Sequence, residues 1–205
     1  MFRDRTHAAA LLLERLAPYR GQHPLVLGIP RGGVPMARQI ADGLGGELDV
    51  VLVRKLGAPG NPEYAIGALS EAGDVSLNPD APLDGLRDYL QEEVAAQRAL
   101  LRERRALYTP QRKPVAPEGR VVIVVDDGSA TGATMLAALR TLRPLRPKTL
   151  IAALPVCPPS TAARLEREAD RVVALETPRS FGAVGAFYRR FGQVNDDAVI
   201  AALRG

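Results

Sequence analysis

The sequence predicts an α/β fold in three layers, with helices covering both faces of a mainly parallel sheet, in one domain over residues 1–205. Two observations carry that expectation. Continuous apolar runs occur, the clearest being Val121–Val125, five β-branched residues in a row, as in strands buried on both faces. These runs alternate with stretches whose apolar residues recur at helical spacing. A length of 205 residues with 46% hydrophobic and 24% charged side chains suffices for one packed core.

The elements follow in order. Residues 4–18 place Ala8, Leu11, Leu12 and Leu16 at helical spacing, and Pro18 stops the helix. Leu25–Ile29 is a short buried strand closed by Pro30. Val34–Leu44 is a helix with Ala37, Ile40, Ala41 and Leu44 on one face, and Leu48–Val53 is a second strand. Tyr64–Glu71 is half of a hairpin, turning at Ala72–Asp74 into Val75–Leu77. Leu83–Leu107 is the longest helix, with Leu86, Leu90, Val94 and Leu101 as its stripe. Its remaining faces mix Arg and Glu, the pattern of a solvated helix rather than of one gripping nucleic acid. Thr109–Gly119 is a Pro-rich linker inside the domain. After the strand Val121–Val125 come a helix at Thr131–Leu142, a strand at Leu150–Val156, a helix at Ser160–Ala169 with Ser160 as its N-cap, and a strand at Arg171–Leu175.

Composition excludes several classes. The single Cys157 precludes an internal disulfide and fits a reducing, cytoplasmic setting. No Cys/His cluster exists for structural zinc, and no apolar run is long enough for a membrane span. The net charge of +4 rests on 24 arginines and three lysines. Such a balance suits anionic partners but also arises from compositional bias. Nucleic acid is not expected as a partner.

In a doubly wound sheet, ligands bind beyond the carboxyl ends of the strands, where strand order reverses. The loops after Ile29, Val53 and Val125 are therefore the candidate site. After Val125 the chain reads Asp126-Asp127-Gly128-Ser129-Ala130-Thr131-Gly132-Ala133-Thr134. Two carboxylates leave a buried strand, a small-residue loop follows, and a helix begins. The glycines let the backbone turn and expose N–H groups, and a helix N-terminus adds orphan donors suited to phosphate. Thr131 and Thr134, three apart, share the first helical turn. The carboxylates would repel a phosphate, so they suit sugar hydroxyls or a hydrated magnesium ion. Neither a Gly-Lys-Ser/Thr loop nor a Gly-x-Gly-x-x-Gly fingerprint is present.

The stretch Val121–Thr134 resembles the phosphoribosyl-pyrophosphate (PRPP) signature of the type I phosphoribosyltransferases. The resemblance implies that Asp126 and Asp127 bind the 2′- and 3′-hydroxyls of the ribose. It implies that the loop Gly128, Ser129, Ala130, Thr131, Gly132, Ala133 and Thr134 wraps the 5′-phosphate. Ile29-Pro30-Arg31-Gly32-Gly33-Val34 is similar to the family's pyrophosphate loop, with Arg31 binding by charge and Gly32 and Gly33 letting amides approach; alone it is also a plain strand-to-helix turn. Arg54 and Lys55, at the end of the next strand, stand where relatives place basic residues near the pyrophosphate. The implied catalytic residues are Arg31 and Lys55, and the implied cofactor is Mg2+. No protein group is expected to hold the metal directly, though Asp126 and Asp127 could do so through water.

The resemblance also implies a lid and helical insertion at about 56–108 and a small C-terminal hood at about 177–205. Phe181 and Phe187 of the hood are candidates for an acceptor pocket; anchors for a terminal helix is the competing reading. The implied activity is transfer of a 5-phosphoribosyl group from PRPP to a nitrogen acceptor, a nucleobase or related ring, with release of pyrophosphate. In 6-oxopurine enzymes an aspartate precedes the Thr-Gly; here Ala130 stands there, which argues against hypoxanthine or guanine as acceptor. A homodimer is the family expectation. The alternative function is a non-catalytic PRPP sensor that binds RNA or a protein through its Arg-rich surface, for which Arg98–Arg105 is the candidate patch.

Overall fold

The computed structural model describes residues 1–78, 81, 85–110 and 112–204, with the side chains of residues 62–65 outside that description. Helix α1 (Arg5–Arg15) starts where Asp4 accepts the His7 amide at 3.0 Å. Strand β1 (Leu25–Gly28), helix α2 (Gly33–Leu44) and strand β2 (Glu47–Val50) follow. Then come β3 (Val53–Ala58), β4 (Asn61–Ser70), β5 (Val75–Leu77) and the long α3 (Arg87–Tyr108). The second half runs β6 (Val121–Val125), α4 (Ala133–Leu142), β7 (Thr149–Val156), α5 (Pro159–Leu165), β8 (Arg171–Glu176) and α6 (Asp196–Arg204).

Five strands form a wholly parallel sheet in the order β2-β1-β6-β7-β8. Alternation along the strands divides its side chains between two cores. Val26, Ile123, Val125, Ile151 and Ala153 meet Ala8, Leu12, Leu16, Ile40 and Leu44 of α1 and α2. Leu27, Val122, Val124, Ala152 and Leu154 meet Met135, Leu139 and Leu165 of α4 and α5. The three expected layers result, since each helix buries its apolar stripe on one face of the sheet.

The chain winds outward from β1 to β2, then returns to place β6 on the other side of β1. Gly28 pairs with both Val50 and Val125, so the reversal of strand order lies between the carboxyl ends of β1 and β6. Two of the three loops singled out in the sequence emerge side by side there.

The third does not. The segment Leu48–Val53, expected as one strand, is divided between two sheets. Val51 donates the last bond to Gly28 O at 3.1 Å, and Val53 begins an antiparallel sheet opposite Ser70. The apolar residues Val50–Val53 run through the junction and hide the change; a change of pairing partner leaves no mark on periodicity. Arg54 and Lys55 thus open an antiparallel strand rather than close a parallel one. The turn expected at Ala72–Asp74 joins β4 to β5 and begins one residue earlier, at Glu71, with Gly73 at φ +96° and Gly73 N bonded to Ser70 O at 3.0 Å. Strands β3 to β5 lie beside α4, and with α3 and α6 they enclose a third core of Leu52, Leu56, Ile66, Leu69, Leu101 and Val199. The expected start of the long helix at Leu83 lies outside the described residues; the helix is seen from Arg87.

Two boundaries differ for local reasons. Helix α4 begins at Ala133 behind Gly132, whose φ of +71° is not helical, so Thr131 precedes the helix and only Thr134 lies on its first turn. Helix α5 begins at Pro159, whose ring presets φ and whose missing N–H is no loss at a helix start. Pro158 is therefore its N-cap and Ser160 lies inside.

Candidate active site

The loop after β6 continues the sheet for one bond, Asp126 N to Ala153 O at 3.2 Å, and then leaves it. Asp126 Oδ1 accepts the Asp127 amide at 2.9 Å, which folds the two aspartates over the strand end. Gly128 takes φ +136°, and a Cβ there would come within 2.6 Å of Val184 Cγ1, in the segment after β8. Only glycine passes at that point. Ser129 N donates to Val156 O at 3.0 Å, and Ser129 Oγ accepts the Gly132 amide at 2.8 Å. From α5, Thr161 Oγ1 donates to Ala130 O at 2.8 Å and Arg164 Nη1 to Thr131 O at 3.0 Å. These bonds tie down the loop carbonyls. The amides of Gly128, Ala130 and Thr131 find no partner among the described residues. At the start of α4 the Ala133 amide donates to Thr131 Oγ1 at 3.4 Å, and the amides that follow it in the first turn have no intrahelical partner. The loop thereby keeps several amide donors uncommitted, and Ala130, Thr131 and Thr134 are exposed.

Asp126 is half-buried, and burial pushes its carboxyl well above the usual range, helped by the adjacent charge of Asp127. Asp127 is held by Arg5, which lies 122 residues away in sequence. Arg5 Nε and Nη2 approach Asp127 Oδ2 at 2.8 and 2.7 Å. Tyr188 donates its hydroxyl to the Asp127 carbonyl at 2.6 Å, and burial together with the Asp127 charge raises that phenol. Sequence reasoning missed Arg5 altogether. It did not assign Tyr188 to the site either. Contacts made at such separations carry no local spacing signal.

The loop after β1 lies directly opposite. Ile29 N donates to Val125 O at 2.9 Å, and the Pro30–Arg31 peptide is cis. A Cβ on Gly33 would collide with Val125 O, and one on Gly32 would fall 2.5 Å from Asp127 Cγ. The two glycines thus let this loop lie against the other. The Gly33 amide is committed to Ile29 O at 3.0 Å, so it is not free to meet a diphosphate. Arg31 is exposed and has no ion-pair partner among the described residues.

The remaining candidates are dispersed. Arg54 Nε donates to Gln97 Oε1 of α3 at 2.6 Å, and Lys55, its neighbour on the strand, is directed to the other face of the hairpin. Phe181 and Phe187 stack on each other with centroids 5.0 Å apart, both half-buried against the α1–α2 core. A cavity of about 560 Å3 lies elsewhere, under the Pro-rich linker, bounded by Leu27, Val53, Leu101, Val115 and Leu142. None of the loop residues lines it.

Among the described residues no group of three His, Cys, Asp or Glu side chains could cage a metal. Asp126 and Asp127, with one oxygen already given to Arg5, fit a magnesium ion that keeps its waters and takes further oxygens from a substrate. No helix among the described residues is long and apolar enough to cross a membrane.

Comparison with known proteins decides the family. The family profile described as the phosphoribosyl transferase domain matches residues 3–189. The chain belongs to the phosphoribosyl transferase family. Its sheet and paired loops are therefore those of a phosphoribosyl transferase domain. The protein TT1426 of Thermus thermophilus, known from a crystal structure, is 51% identical with a TM-score of 0.91, over 98% of this chain and 97% of that one. Two Mycobacterium tuberculosis proteins, of strains CDC 1551 and H37Rv, are named provisionally as phosphoribosyl transferases. Each is 41% identical over 205 residues, which is 99% of this chain and 46% of the relative. The chain thus spans about half the length of the curated relatives it matches.

Proposed function

We propose that this phosphoribosyl transferase domain binds PRPP at the junction of β1 and β6 and transfers its 5-phosphoribosyl group to a nitrogen acceptor. One observation carries the reading. The Asp126–Asp127 pair stands at the end of a buried strand, between a loop with uncommitted amides and the exposed Arg31. A pentose with phosphate at one end and diphosphate at the other matches that order of acceptor, donor and cation groups.

In the reaction the bond from C1 of the ribose to the diphosphate oxygen breaks, the bonding pair leaves with pyrophosphate, and the acceptor nitrogen supplies the pair for the new C1–N bond. Charge grows on the departing diphosphate. Arg31, the Gly32 amide and Lys55 are the groups of this chain proposed to stabilise it. Asp126 and Asp127 accept the ribose hydroxyls and hold C1 in place. The amides of Gly128, Ala130, Thr131 and Thr134, not committed within the loop, are the proposed donors to the 5′-phosphate. Magnesium, bound with the substrate, would neutralise part of the diphosphate charge, and Asp126 and Asp127 are the residues that could retain it through water. The β3–β4 hairpin beside α4 is the proposed cover against water, and Phe181 and Phe187 are the proposed surface for an acceptor ring. Ala130 offers no carboxylate to a base, which favours acceptors other than hypoxanthine and guanine.

The reading is tested by following pyrophosphate release from PRPP and magnesium across a panel of nucleobases and related nitrogen heterocycles. Stimulation by one acceptor, with the ribosylated product detected, is expected. PRPP binding without release under any acceptor would support the sensor reading instead.

A further inference from the structure

We infer that Arg5 is a positioning residue for Asp127 and fixes that carboxylate for reading the ribose hydroxyls. The inference deepens the PRPP reading and rests on it. Arg5 lies on the first turn of α1, whose start is fixed by the Asp4 cap. Its Nε and Nη2 both go to Asp127 Oδ2, at 2.8 and 2.7 Å. The other oxygen, Oδ1, has no partner among the described residues and is left for a ligand. The pair is largely buried, with 16% and 15% of the two side chains exposed, so it is screened far less than a surface ion pair.

Arg5 is itself held on two sides. Nη1 donates to Gly192 O in the hood at 2.7 Å, and the guanidinium stacks on the Phe191 ring with Cζ 3.9 Å from the centroid. The hood is joined to the same segment by Phe2 N to Phe187 O, Arg189 N to Phe2 O and Arg190 N to Arg3 O, at 2.8, 2.8 and 2.9 Å. Asp127 is therefore gripped through its amide by Asp126, through its carbonyl by Tyr188 and through its carboxylate by Arg5. A planar guanidinium can reach Asp127 and Gly192 at once while stacking; a lysine ammonium cannot.

A purely architectural role would fasten α1 to the sheet without affecting which sugar is bound. The two roles separate in the ratio of affinities for ribose 5-phosphate and its 2-deoxy and 3-deoxy counterparts, measured by calorimetry with magnesium. All three share the 5′-phosphate, so the ratio isolates hydroxyl reading. For the unaltered protein a preference for ribose 5-phosphate of about tenfold over at least one deoxy sugar is expected, the worth of a charged hydrogen bond. Arg5→Lys and Arg5→Met are expected to abolish that preference, with inorganic phosphate binding changed less than about twofold. In a cycle with Asp127→Asn, Arg5→Met should add nothing to the loss already made. A preference that survives in both Arg5 variants, or losses that simply multiply in the cycle, overturns the role of Arg5 alone. An unaltered protein that binds none of the sugar phosphates overturns the PRPP reading, and this inference with it.

Discussion

Gly32 turns its bare Cα toward Asp127, leaving less room than one methyl group between the loop after β1 and the carboxylate after β6. The contact joins two segments 95 residues apart, and its consequence is specific. Gly32 has φ −64°, a conformation any residue adopts, so Gly32→Ala costs nothing in backbone freedom and acts through collision alone. The new methyl would push Asp127 off Arg5. A loss of about 1–3 kcal/mol in unfolding free energy is expected, as for overpacking, together with loss of PRPP binding. Gly182→Ala, where a Cβ meets nothing within 4 Å, serves as the control in the same denaturation series.

Tyr188→Phe removes only the hydroxyl that donates to Asp127 O. The ring keeps its contact with Phe2 at 5.3 Å between centroids. A destabilisation of about 1 kcal/mol is expected from urea unfolding, because the carbonyl loses a buried donor. An unchanged midpoint would show that the bond contributes nothing.

Asp49 is 1% exposed and fully used. Its Oδ1 accepts from Arg105 at 2.8 Å, Arg112 at 3.0 Å and Val50 N at 2.8 Å, and its Oδ2 from Val115 N at 3.0 Å. One carboxylate thus joins β2, α3 and the Pro-rich linker. Asp49→Asn leaves Arg105 half-compensated in a buried place, so a loss of about 3 kcal/mol or more is expected. A loss below about 1 kcal/mol would contradict this account of how α3 is anchored.

Cys157 is buried at the end of β7, and burial pushes its thiol up to about 11. The folded state therefore favours the protonated form more than the unfolded chain does. The associated stability is complete below the ordinary thiol range and is lost as pH rises through about 11. Cys157→Ala should flatten that alkaline loss. At neutral pH, iodoacetamide should label Cys157 only on unfolding; rapid labelling of the native protein would refute the burial.

The parallel sheet was legible because β6 and the Leu150–Val156 part of β7 are apolar without interruption, and only two-sided burial asks for that. The candidate loop after β6 was legible because its residues are contiguous. The junction at Val51 and Leu52 was not, since an apolar run does not reveal where its hydrogen bonds change partner. The duty of Gly32 and Gly33 was read in part. The sequence suggested amides open to a ligand, whereas the Gly33 amide is taken by Ile29 and both Cα atoms are hemmed in by the facing loop. Arg5 lay beyond sequence reasoning because an ion pair across 122 residues follows from the packing of α1 on the sheet, not from any motif.

The central claim is that Asp126, Asp127 and the loop to Thr134 grip a phosphorylated pentose. Calorimetric titration of PRPP with magnesium into the protein, and into Asp126→Asn/Asp127→Asn, tests it most directly. Saturable binding at one site per chain that weakens at least about a hundredfold in the double variant is the expected result, as for two charged hydrogen bonds lost. Equal binding by both proteins, or none by the unaltered chain, would contradict it.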